Sequence, residues 1–172
     1  LRVDSFINHQ MDIALMEQLA QEFRRRFSGV QVDKVLTVEA SGIAIATLVA
    51  QAFGVPLVFA KKAKTANLPD DVYAATVRSY THGNVNQVIV SKEFLHSGEH
   101  VLLIDDFLAH GEALQGLIDL VGQAGGTVAG AGILIEKAFQ DGGQRIRSQG
   151  VRVESLARVQ SMGDDGEITF AD

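Results

Sequence analysis

The residues best suited to chemistry lie together at positions 101–113, Val-Leu-Leu-Ile-Asp-Asp-Phe-Leu-Ala-His-Gly-Glu-Ala. An apolar run ends in Asp105 and Asp106, and a short loop leads through Gly111 into a helical pattern. In open parallel sheets, ligands sit beyond the carboxyl ends of strands, which is where this order puts the two acids. A loop that opens a helix offers unpaired backbone N–H groups and a positive dipole end, and a glycine lets the backbone approach closely. The loop therefore suits a phosphate. The carboxylates cannot serve that phosphate. They suit vicinal ribose hydroxyls, which donate hydrogen bonds to them, or a magnesium ion. A bare Asp-Asp pair also fits a solvated turn, and Gly111 a structural glycine. It is the order of strand, acids, loop, glycine and helix that speaks for a site.

The remaining elements read as the frame for this segment. Met16, Leu19, Ala20, Phe23 and Phe27 recur at helical spacing behind Asp12, a capping residue, and predict an amphipathic helix. Residues 34–39 form a short apolar strand, 43–53 a helix stopped by Gly54, and 55–60 another buried strand. Residues 101–104 are a strand, and Leu114, Leu117, Ile118 and Val121 mark one face of a helix ended by Gly125 and Gly126. Further strands are expected at 128–135 and near 151–159. Continuous apolar strands alternating with helices imply parallel strands covered on both faces, so the fold class is α/β, an open, mainly parallel sheet flanked by helices. Residues 61–86 break the rhythm with the basic Lys61, Lys62 and Lys64 and a β-prone stretch at 72–80. A mobile loop at about 65–87 is expected, able to close over the site, with disorder as the competing reading.

A length of 172 residues supports one core, so a single domain over 1–172 is expected. The net charge of −6 argues against broad attraction to nucleic acid or anionic membrane. With no cysteine, disulfides, thiolate metal sites and thiol nucleophiles are excluded. No apolar stretch approaches bilayer-spanning length and no signal-peptide pattern opens the sequence, so a cytoplasmic protein is expected.

The segment at 101–113 resembles the motif that binds 5-phosphoribosyl 1-pyrophosphate (PRPP) in the type I phosphoribosyltransferases, where an apolar strand ends in two acids and a loop leads to a glycine. The resemblance covers nearly the whole chain and is closest to the bacterial branch that uses xanthine. It is carried by residues 3–10, Glu39-Ala-Ser-Gly42, 104–109, 135–140 and 153–161, the first and last being particular to that branch. It implies the type I fold with a small hood, built from the two ends of the chain, over the base site. It implies transfer of phosphoribose from PRPP to xanthine with Mg2+, in a homodimer, with neither nucleic acid nor membrane as partner.

By the same resemblance, Asp105 and Asp106 orient the ribose and stabilise its charge in catalysis. Ala109, His110, Gly111, Glu112 and Ala113 cradle the 5-phosphate, and Leu1, Asn8 and Lys137 meet the xanthine. Ser41 and Gly42 belong to the pyrophosphate loop, with Lys61 or Lys62 beside it. No metal site made of protein ligands alone is implied: Mg2+ would be held through pyrophosphate, with Asp105 and Asp106 as the candidate protein contacts. Other readings stand beside these: a solvated charge run for Lys61 and Lys62, a turn residue for Asn8, and a strand-end pairing with Glu136 for Lys137.

Two positions depart from the family pattern. His110 replaces a threonine common in this loop, so backbone amides must carry most of the phosphate binding. Ala109 stands where hypoxanthine-guanine enzymes place an aspartate near the base, which favours a base that ionises easily. Phe139 is a candidate base contact, whereas His9, His82, His96 and His100 lack metal-ligand spacing. A guanine or hypoxanthine transferase is the alternative within the family, and a noncatalytic PRPP-sensing regulator the alternative outside catalysis; the chain shows no basic recognition helix for the latter.

Overall fold

The structure is a computed structural model describing residues 1–64, 67–78, 85–163 and 166–172. Helix α1 (Ile13–Arg26) starts where Asp12 accepts a hydrogen bond from the backbone N–H of Leu15 at 3.0 Å. Strand β1 (Lys34–Val38) is buried along its length and leads into α2 (Gly42–Phe53), which Gly54 ends at a φ of 68°. Then come β2 (Leu57–Ala63), β3 (Val72–Arg78), β4 (Val85–Ser91), β5 (His100–Leu108) and α3 (Glu112–Ala124). The chain finishes with β6 (Thr127–Lys137), α4 (Gly142–Arg147), β7 (Val153–Met162) and β8 (Ile168–Phe170).

These strands form one sheet in the order β3-β4-β2-β1-β5-β6-β7-β8. The pairings among β2, β1, β5, β6 and β7 are parallel, while β4 runs antiparallel to β2 and β3, and β8 to β7. One core lies against α1 and α2 and holds Phe23, Phe27, Ile45, Val49 and Ile104. The other lies against α3 and holds Leu36, Leu103, Leu117 and Val121. Helix α1 comes close to β6 because that strand offers glycine: a Cβ added at Gly132 would stand 2.8 Å from the Phe23 ring. Gly132→Ala would force apart two fully packed layers. Chain order reverses at β1, which has β2 on one side and β5 on the other, so the loops leaving β1 and β5 diverge and open a crevice at the carboxyl edge.

The α/β class and the parallel centre match the sequence expectation, with three additions. Strands β4 and β8 and helix α4 were not foreseen. Strand β5 runs on to Leu108, so Asp105 and Asp106 sit inside its ladder with β6 and not past its end. The excursion contains an antiparallel β3–β4 pair. The expected mobile loop at 65–87 falls partly on residues outside those described, as does His82.

Candidate active site

Asp105 and Asp106 are 6% and 7% exposed, although both line an open cleft of about 430 Å³. The backbone N–H of Asp106 donates to Asp105 Oδ1, and that of Phe107 to Asp106 Oδ1, each at 2.9 Å. Burial, then the charge of Asp106, pushes the Asp105 carboxyl well above the usual range, against a pull downward from Lys62. Ionising Asp105 there is costly unless positive charge arrives.

At one end of the cleft, Gly111 takes a φ of 79° as the residue before α3, a conformation suited to glycine. The N–H groups of the first turn have no intrahelical acceptor and remain for an anion. Helix α4 braces this loop. The N–H of Gly142 donates to the Ala109 carbonyl at 3.0 Å, and His110 Nδ1 lies 3.1 Å from Asp141 Oδ1. The Glu112 carboxylate is paired with Arg145 at 2.8 Å, which leaves its backbone amide as the group it can offer an anion.

At the other end, Glu39 accepts a hydrogen bond from the backbone N–H of Lys62 at 2.6 Å, and the Glu39–Ala40 peptide is cis. Gly42 fits tightly beneath: a Cβ there would stand 3.1 Å from Asp105 Oδ1 and closer still to the Thr37 hydroxyl, a buried group with no hydrogen-bond partner among the described residues.

The structure thus brings together Asp105, Asp106, Ser41 and residues 109–113, with Gly42 behind them. Lys62, not Lys61, lines the cleft, because alternate residues of β2 point to opposite faces. Arg78 and Asn86 also line it and were missed, since the strand that carries Asn86 was not recognised. Leu1, Asn8 and Lys137 are not among the residues lining this cleft. Lys137 ends β6 with its ammonium 6.0 Å from the ring centroid of Phe107, which does line it. Asn8 and Phe139 are exposed, and Leu1 borders a separate apolar pocket with Phe6 and Leu134. A larger open groove between α1 and α2 lies away from the carboxyl edge and holds none of the acids of β5.

A family model described as "Phosphoribosyl transferase domain" matches residues 3–146. The chain belongs to the phosphoribosyltransferase family. This phosphoribosyltransferase is 52% identical to the xanthine phosphoribosyltransferase of Alkaliphilus metalliredigens over 100% of the chain and 85% of that protein. It is 54% identical to that of Lachnoclostridium phytofermentans over 99% of the chain and 88% of that protein. Among solved structures, the adenine phosphoribosyltransferase of Giardia lamblia complexed with 9-deazaadenine superposes with a TM-score of 0.76 at 27% identity, covering 86% of this chain and 81% of that one. The enzyme of Thermoanaerobacter pseudethanolicus gives 0.73 at 24% identity, covering 86% and 82%, which places this phosphoribosyltransferase in the same fold. Among the described residues, no helix is long and apolar enough to cross a membrane.

Proposed function

We propose that this enzyme transfers phosphoribose from PRPP to xanthine, giving xanthosine 5′-monophosphate and pyrophosphate, a purine-salvage reaction. The observation that carries this reading is identity at half of all positions, along the whole chain, to xanthine phosphoribosyltransferases. The cleft supplies the chemistry. The 5-phosphate lies on the loop before α3, the ribose over Asp105 and Asp106, and the pyrophosphate toward Ser41 and Lys62. As the bond from the ribose carbon to pyrophosphate breaks, that carbon gains positive charge and a ring nitrogen of xanthine attacks it. Asp105, costly to ionise alone, is stabilised by that charge, and the Asp106 carboxylate beside it adds to the same field, so the pair binds the transition state better than the ground state.

Magnesium fits this site. Asp105 and Asp106 both line the cleft, and Mg2+ commonly takes one or two carboxylates with substrate phosphates and water. It would be held through the pyrophosphate of PRPP, with Asp105 and Asp106 as the candidate protein contacts, and when bound it neutralises charge on the leaving pyrophosphate. Asn8 and Lys137 select the base and Leu1 covers it. A homodimer and a cytoplasmic location follow from the family resemblance. Incubation with PRPP, Mg2+ and each of xanthine, guanine, hypoxanthine and adenine, followed by pyrophosphate release, tests the reading. Xanthine should give the highest kcat/KM, and a preference for another base would overturn it.

A further inference from the structure

Helix α3 carries both walls of the cleft. Its first turn completes the phosphate loop, while its flank seats the β3–β4 ribbon, which brings Val77, Arg78, Asn86 and Val88 to the opposite wall. Among the described residues, strand β3 is the sheet edge, with β4 as its one strand neighbour, and α3 packs along its other side. Two contacts join them. The Gln123 side chain donates to the Ala74 carbonyl at 2.8 Å and accepts from the Ala74 N–H at 3.4 Å. Two turns earlier, Gly116 is so close to the ribbon that an added Cβ would stand 2.8 Å from Val77 Cγ2 and 3.2 Å from Val88 Cγ2. Glycine inside a helix is less favourable than alanine, having more backbone freedom to lose. Here its bareness admits the ribbon.

We propose that Gly116 is a positioning residue for the pyrophosphate end of PRPP: it seats the ribbon at the depth that presents Arg78 and Asn86 to the cleft, opposite the phosphate loop. Arg78 is exposed and has no ion pair among the described residues, so its guanidinium is available to an anion. One methyl at position 116 cannot be absorbed by a side-chain swing, because valine is stiff at χ1, so the strand itself must shift. Displacements of an ångström in a positioned group cost up to about 10²-fold in rate. The inference rests on PRPP being the substrate, which wild-type turnover establishes separately.

The test compares Gly116→Ala with Gly122→Ala, on the same helix, where nothing lies within 4 Å of an added Cβ. Gly116→Ala should raise the KM for PRPP by about tenfold and leave that for xanthine within about twofold, a split that marks loss of one substrate's binding. Gly122→Ala should match wild type. Adding Val77→Ala to Gly116→Ala removes the clashing methyl and should restore most of the PRPP affinity. Arg78→Gln should raise the PRPP KM without any packing change, and it carries the test if Gly116→Ala does not fold. Wild-type kinetics in Gly116→Ala, equal effects on both substrates, absence of rescue by Val77→Ala, or an unchanged PRPP KM in Arg78→Gln would each overturn the proposal.

Discussion

The N–H of Asp106 donates to Oδ1 of Asp105 at 2.9 Å, so the two buried acids are held side by side by their own backbone. Burial and the neighbouring charge raise the Asp105 carboxyl above its ordinary 3.8, so the folded protein holds that proton more tightly than the unfolded chain does. This favours the fold most below pH 3.8; the advantage declines as pH rises through that value and levels off once the folded carboxyl has also ionised. Asp105→Asn keeps an acceptor oxygen and cannot ionise. It should melt above wild type at neutral pH, with the gap narrowing as pH falls toward 3.8. Melting curves across that range check this, and a variant less stable at neutral pH would contradict it.

Arg147 anchors α4. It donates to both Glu136 oxygens at 2.7 and 2.8 Å, and Glu136 is 2% exposed. Burial alone would raise the Glu136 carboxyl, but hydrogen bonds from Arg147 and Ser155 hold it below its usual value. Arg147→Met strands that charge with Arg158 at 3.4 Å as its nearest remaining cation, and should cost about 3 kcal/mol in denaturant unfolding. Because α4 braces the loop at Ala109, the KM for PRPP should rise too. Unchanged stability would mean that the pair is not the anchor.

Asn8 should set base choice, since its amide can donate to an oxo group and accept from a ring N–H. In the structure it donates to Asp4 at 3.3 Å, the arrangement of a turn residue. Asn8→Ala should raise the KM for xanthine far more than that for PRPP. Equal effects in steady-state assays would favour the turn role.

Lys137 should stabilise an anionic xanthine. Glu136, the acid beside it, is taken by Arg147 and Ser155, and among the described residues Lys137 makes no ion pair. An ammonium within about 4 Å of the 6-oxo group would favour loss of a ring proton in a partly dry pocket, giving a base that is already nucleophilic. Lys137→Met should cut xanthine turnover sharply and move its pH optimum upward while PRPP affinity holds. A pH profile of unchanged shape would remove Lys137 from base ionisation.

The sequence revealed the parts of this molecule that repeat a strong local pattern. The apolar strands β1, β5 and β6 and the periodic faces of α1 and α3 are legible because burial on two faces or one dictates their spacing. Helix α4 was not, because Gly142 and Gly143 open it against propensity and contacts with Glu136, Glu112 and Ala109 hold it. Strand β4 mixes Asn86 and Gln87 into its start, and it forms by pairing with β3 and β2, which a local reading cannot see. The acids and the loop before α3 could be read because they are contiguous. Arg78 and Asn86 could not, because they reach the cleft through that pairing, although the β-prone residues leading up to Arg78 were a signal for the first of them.

The central claim is that Asp105 and Asp106 stabilise charge on the ribose during transfer to xanthine. Turnover of Asp105→Asn/Asp106→Asn with PRPP, Mg2+ and xanthine tests it most directly, with circular dichroism to show that the fold persists. The amides keep shape and lose charge, so the rate should fall by at least about 10²-fold. Turnover equal to wild type, or reduced only a fewfold in a folded protein, would contradict the account.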